Sequence, residues 1–115
     1  MQKRSTDKMN DLEVFNRLHA LITSRKESAT GNSYTEELFR KGQDHLLKKF
    51  GEEALEVMMA SKNDDSDHVV RELADLWFHS VVLLKFRGIE PSDVLAELER
   101  RLGYSGLEEK ASRKT

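Results

Sequence analysis

Five acidic side chains are spaced for divalent-cation chemistry. Glu52, Glu53 and Glu56 fall within five positions, and after 15 further residues Glu72 and Asp75 follow, three apart. At about 100° per residue, Glu52, Glu53 and Glu56 stay within one arc of about 100° on a helix. Glu72 and Asp75 likewise share one side. Two helices then each offer an acid-x-x-acid pair, Glu53/Glu56 and Glu72/Asp75. Facing carboxylates beside apolar packing repel strongly unless a cation lies between them. Hard oxygen ligands of this kind select magnesium or manganese over zinc. The competing reading is solvated surface, with Lys48 or Lys49 paired to Glu52 or Glu53 at helical spacing. Spacing alone leaves both open.

The elements that must position these acids are helical. Apolar periods of three and four dominate, strand-type alternation is nowhere sustained, and Pro91 is the one proline. That predicts an all-α chain. A first helix over 12–25 carries Leu12, Phe15, Leu18 and Ile22 on one stripe, and 24–33 reads as a loop. Ser33-Tyr34-Thr35-Glu36 matches a capping box and starts the next helix, which Gly42 kinks or ends. A longer helix over 44–61 follows. Asn63-Asp64-Asp65-Ser66-Asp67 suits a turn and N-cap; it lacks the glycine and terminal glutamate of a calcium loop. The next helix stops near Phe86 with Gly88 as its C′ residue, and Pro91 opens another that closes before Gly103. Residues 1–10 fit no motif and are expected to be mobile, as is the far C-terminal end.

The two helices bearing the acids are apolar on more than one side. On 44–61, Leu46, Phe50, Ala54, Val57 and Met58 form one face while Leu55 and Met59 fall opposite. On the following helix the main stripe reads Val69, Leu73, Leu76, Trp77, Ser80 and Leu84, with Phe78 and Val82 elsewhere. A helix apolar on two sides is buried on two sides. With 115 residues, of which 37% are hydrophobic and 35% charged, one small domain over 1–115 cannot cover both. A homo-oligomer, most simply a dimer with these helices interlocked, is therefore expected.

Composition excludes other classes. A formal net charge of -2 gives no field to attract nucleic acid. No run of 18 apolar residues is present, so no membrane-spanning helix is expected, and the N-terminus shows no secretory signal. Cysteine is absent, which removes disulfides and thiolate chemistry and fits a cytoplasmic protein.

Glu52-Glu53-x-x-Glu56 followed by Glu72-x-x-Asp75 resembles the pattern of the MazG-type all-α nucleotide pyrophosphohydrolases. Ser33-Tyr34-Thr35, Lys41-Gly42-x-Asp44, Lys48-Lys49-Phe50-Gly51-Glu52-Glu53 and the tail from Gly103 to Arg113 narrow the likeness to the phosphoribosyl-ATP pyrophosphohydrolase family. The resemblance implies a four- to five-helix bundle that hydrolyses phosphoribosyl-ATP with magnesium, or manganese in its place. It implies Glu53, Glu56, Glu72 and Asp75 as metal ligands. Glu52 would be a further ligand or would orient the attacking water. Lys48 and Lys49, just upstream, are candidates to hold phosphate oxygens. Lys110 and Arg113, three apart in the tail, are candidates to clamp a phosphate or bridge subunits. A relative acting on other nucleoside triphosphates, or a non-catalytic helical module, are the alternatives. His79 projects near Glu72 and Asp75 and reads as packing or a hydrogen-bonded satellite rather than a ligand. His19, His45 and His68 share no ligand spacing. Trp77 and Phe78 read as core or interface, and Tyr34 either staples its helix or touches substrate.

Overall fold

The computed structural model describes residues 9–28, 33–103 and 106–113. Six helices follow one another there: α1 (Asp11–Glu27), α2 (Tyr34–Lys41), α3 (Gln43–Ala60), α4 (Ser66–Phe86), α5 (Pro91–Arg101) and α6 (Gly106–Arg113). The all-α expectation holds, with no strand among the described residues. Residues 1–8, most of the segment expected to be mobile, lie outside them, as do residues 29–32 of the expected loop. No helix is long and apolar enough to cross a membrane among the described residues.

Short polar residues mark the helix starts. Asn10 accepts a 2.8 Å hydrogen bond from the Glu13 amide, Ser33 one of 3.0 Å from Glu36, and Asp65 one of 3.2 Å from His68. Each satisfies an amide that the helix itself leaves unpaired. The Asn63–Asp67 run is thus the expected turn and cap. α1 runs past Arg25 to Glu27, two residues further than expected, with Arg25 and Lys26 in a last turn that favours positive charge. Gly42 separates α2 from α3 at φ +96° and ψ 176°, a conformation open essentially to glycine alone. α4 closes in a Schellman motif. Gly88 sits at φ +74°, the Ile89 amide bonds the Leu84 carbonyl at 2.8 Å, and the Gly88 amide bonds that of Lys85 at 3.0 Å. Residues 106–113 of the tail form α6.

α3 and α4 make the most extensive helix–helix contact, an αα-hairpin joined by the 61–65 turn. α1 and α2 pack over one end of it. The buried core is Ile22, Leu38, Leu46, Val81 and Val82, with Phe15, Leu18, Phe39, Phe78, Leu83 and Phe86 around it. Phe39 and Phe86 stack at 6.4 Å with their planes 12° apart. These α3 and α4 residues lie near the start of α3 and the end of α4, the open end of the hairpin. At the turn end the contact among the described residues is chiefly between these two helices.

This arrangement corrects the expected stripes. On α4 the buried positions are His79, Val81, Val82 and Lys85, while Trp77, placed on the main stripe, is 68% exposed. On α3, Leu46 is buried as expected but Met58 is 58% exposed. A helix apolar on two sides has no unique inward face, and which side is covered depends on where α1 and α2 land. Leu55, Met58 and Met59 of α3 and Val70 and Trp77 of α4 are left exposed toward the turn end. A groove of about 260 Å³ lined by Val70, Leu73, Ala74 and Trp77 lies there.

Candidate metal centre

Midway along the hairpin, Glu53 of α3 meets Glu72 and Asp75 of α4. One carboxylate oxygen from each lies within 4.8 Å of the others. The three-residue spacing sets Glu72 and Asp75 on one side of α4, and the close hairpin brings Glu53 to that side. Glu53 and Glu72 are half-buried and Asp75 is exposed. The Glu53 carboxyl is held above the usual carboxylate range, first by desolvation and then by Asp75. Glu72 and Glu56 add to this and His79 opposes it. The crowding expected from the spacing is present in these three acids.

Glu56, one turn beyond Glu53, is exposed and stands outside the group of three, although its charge is felt at Glu53. Glu52 is exposed and paired with Lys49, Nζ to Oε1 at 3.3 Å. That bond raises the Lys49 ammonium above its ordinary value. The two readings left open by the spacing therefore divide: surface pairing describes Glu52, and convergence describes Glu53. Lys48 is exposed. Lys110 and Arg113 are exposed on α6.

Two histidines surround the acids. His68 Nε2 lies 3.3 Å from Glu72 Oε2, four residues along the same helix. His68 shares no ligand spacing with the other histidines, and its i,i+4 relation to Glu72 is the signal the sequence carries for this contact. His79 is buried, 5% exposed, with both ring nitrogens engaged. Nδ1 lies 2.8 Å from the Asp75 carbonyl oxygen, which can only accept, so Nδ1 carries the proton. In the neutral ring Nε2 then accepts from the Tyr34 hydroxyl, at 2.8 Å. Tyr34, the first residue of α2, is tied in this way to the helix that carries Asp75. Desolvation, with Glu53 and Asp75 behind it, raises the Tyr34 hydroxyl above its ordinary value, while Lys49 opposes. The satellite role read for His79 agrees with this geometry.

The donor set is all carboxylate oxygen, the hard-ligand chemistry of magnesium and manganese. A triad of acids at this separation fits a divalent cation and disfavours itself without one.

Comparison with known proteins agrees with the geometry. The model of the family described as phosphoribosyl-ATP pyrophosphohydrolase matches residues 15–102. Among curated relatives, a phosphoribosyl-ATP pyrophosphatase of Chromobacterium violaceum is 53% identical over 102 residues, covering 89% of this chain and 94% of its own. A protein of the same name from Methylococcus capsulatus is 52% identical, over 90% of this chain and 98% of its own. A third, from Nitrosospira multiformis, is 51% identical, over 92% and 88%. The family match ends at residue 102, so it rests on the helical body that holds the acids and not on the tail.

Proposed function

The chain belongs to the phosphoribosyl-ATP pyrophosphohydrolase family, and on that premise we propose that it hydrolyses phosphoribosyl-ATP between the α and β phosphates. The products are phosphoribosyl-AMP and pyrophosphate, and the reaction is the second step of histidine biosynthesis. The observation that carries this reading is the meeting of Glu53, Glu72 and Asp75 across α3 and α4.

Glu53, Glu72 and Asp75, with Glu56 joining from the next turn of α3, hold magnesium in this reading, with manganese a possible substitute. Magnesium supplies neutralisation of phosphate charge and a bound water of lowered pKa. What remains for the protein is orientation, since phosphoryl-type transfer needs little covalent help. Glu52 serves as a further ligand or orients the attacking water. Lys48 and Lys49 hold phosphate oxygens, Lys49 exchanging its partner Glu52 for substrate. Lys110 and Arg113 of α6 close on a phosphate, the guanidinium by its paired donors.

A second copy of the chain covers the turn end of the hairpin. Leu55, Met58, Met59, Val70 and Trp77 form an apolar surface there that stays exposed among the described residues. Buried as a core, this surface stabilises a homodimer in which α3 and α4 are central. The working enzyme is cytoplasmic, a biosynthetic protein without cysteine, and takes a small nucleotide as its substrate.

Pyrophosphate release from phosphoribosyl-ATP, set beside a panel of nucleoside triphosphates with and without magnesium, tests the proposal. Magnesium-dependent turnover of phosphoribosyl-ATP is expected. Preference for a deoxynucleoside triphosphate would transfer the site to a house-cleaning activity. No turnover of any nucleotide would leave a non-catalytic helical module.

A further inference from the structure

We infer that Tyr34 is the nucleobase platform of this site and that His79 is the residue that positions it. The inference rests on the reading of the site as acting on phosphoribosyl-ATP, whose adenine must lie somewhere beside the acids that handle its phosphates.

Tyr34 combines two properties that usually exclude each other. It is 46% exposed, yet its ring is fixed. The hydroxyl is bonded to His79 at 2.8 Å, and the ring meets His79 edge-on at 5.7 Å and 73°. Phe78 lies nearly parallel to it, with centroids 6.5 Å apart and planes at 26°. A surface aromatic held by a bond and two ring contacts loses little conformational freedom when something stacks on it. Base stacking of this kind is worth roughly tenfold or more in affinity per base.

The cost of the arrangement points the same way. His79 brings two polar ring nitrogens into the interior, where an apolar side chain of similar size would pack without needing partners. One nitrogen is satisfied within α4 by the Asp75 carbonyl. The other is satisfied only by reaching 45 residues back to Tyr34. What the histidine adds over an apolar residue is therefore the fixed place of Tyr34, one helical turn from Asp75.

The test compares AMP with ribose 5-phosphate, which share the sugar phosphate and differ in the base, by competition against phosphoribosyl-ATP hydrolysis and by direct titration in magnesium buffer. In the wild type AMP binds more tightly by about tenfold or more. Tyr34→Ala erases that margin. Tyr34→Phe, which keeps the ring and loses its tether, retains an intermediate margin, and His79→Leu does the same. Circular dichroism checks that the helices persist; should Tyr34→Ala not fold, Tyr34→Leu keeps the bulk without the π face and is read instead. No margin in the wild type, or a full margin in the folded Tyr34→Ala or Tyr34→Leu protein, overturns the platform. A full margin in both Tyr34→Phe and His79→Leu overturns the positioning role. Failure of the wild type to hydrolyse phosphoribosyl-ATP would tell against the proposed function, and the direct titration would still decide the platform.

Discussion

Glu53 of α3 and Asp75 of α4 hold carboxylate oxygens within 4.8 Å across the hairpin, and desolvation together with the Asp75 charge makes Glu53 harder to ionise in the folded chain than in the unfolded one. Glu53 binds its proton more tightly when folded, so stability falls as pH rises from its unfolded value through its folded value. The penalty is absent below that window and fully present above it. In metal-free buffer at neutral pH, Glu53→Gln is expected to melt a few degrees higher than the wild type, since about 1 kcal/mol moves Tm by roughly 4–8 °C in a domain near this size. At acid pH the difference should close. Equal Tm values at neutral pH would show that the acids do not strain the fold.

Magnesium should reverse that order. A ligand that binds only the folded state stabilises it by about 2.7 kcal/mol at a hundred times its Kd. The wild type is expected to gain Tm with added magnesium, while Glu53→Gln, Glu72→Gln and Asp75→Asn gain little. The same three variants should lose at least about 100-fold in kcat/KM, given the several kcal/mol of charge stabilisation at stake. Glu56→Gln, altering an acid outside the group of three, is expected to raise the magnesium needed for half-maximal rate with a smaller loss of maximal rate. Wild-type rate and magnesium response in Glu56→Gln would remove it from the ligand set.

The three converging acids were legible because helical spacing alone fixes which side of a helix a residue occupies, and a short polar turn between two long helices forces a hairpin. The same spacing could not separate Glu56 from Glu53, because a shared side does not fix where a flexible side chain ends. The Tyr34–His79 bond joins residues 45 apart on different helices, and no local pattern encodes it. The exposure of Trp77 has a related reason. With apolar residues on two sides of α4, the inward face was decided by Ile22 and Leu38 arriving from α1 and α2, a tertiary choice absent from the helix itself.

The bare turn end of the hairpin gives a prediction about assembly. Sedimentation at micromolar concentration is expected to return the mass of a dimer. Trp77→Glu and Met59→Lys each place a charge in an apolar surface that would be buried between copies, and an unpaired buried charge costs several kcal/mol. Both variants should sediment as monomers with their helical content largely kept by the core around Ile22, Leu46 and Val82. A wild-type monomer, or a dimer indifferent to both substitutions, would assign that surface to something other than a second copy.

Two glycines should answer alanine with opposite signs. Gly42, between α2 and α3, holds φ +96° with ψ 176°, and a Cβ there would meet nothing within 4 Å. The cost of Gly42→Ala is therefore backbone strain alone, about 1–3 kcal/mol. Gly51 lies inside α3 without a positive φ, and its Cβ would also meet nothing within 4 Å. There Ala removes conformational freedom from the unfolded chain and is expected to gain about 0.5–1 kcal/mol. Urea titration of the two variants beside the wild type reads both signs. Because Gly42 sets the entry of α3 after the helix that begins with Tyr34, Gly42→Ala should also weaken AMP binding relative to ribose 5-phosphate, whereas Gly51→Ala should leave that ratio unchanged. A neutral Gly42→Ala would mean that the junction tolerates an ordinary backbone, and that the place of Tyr34 does not depend on it.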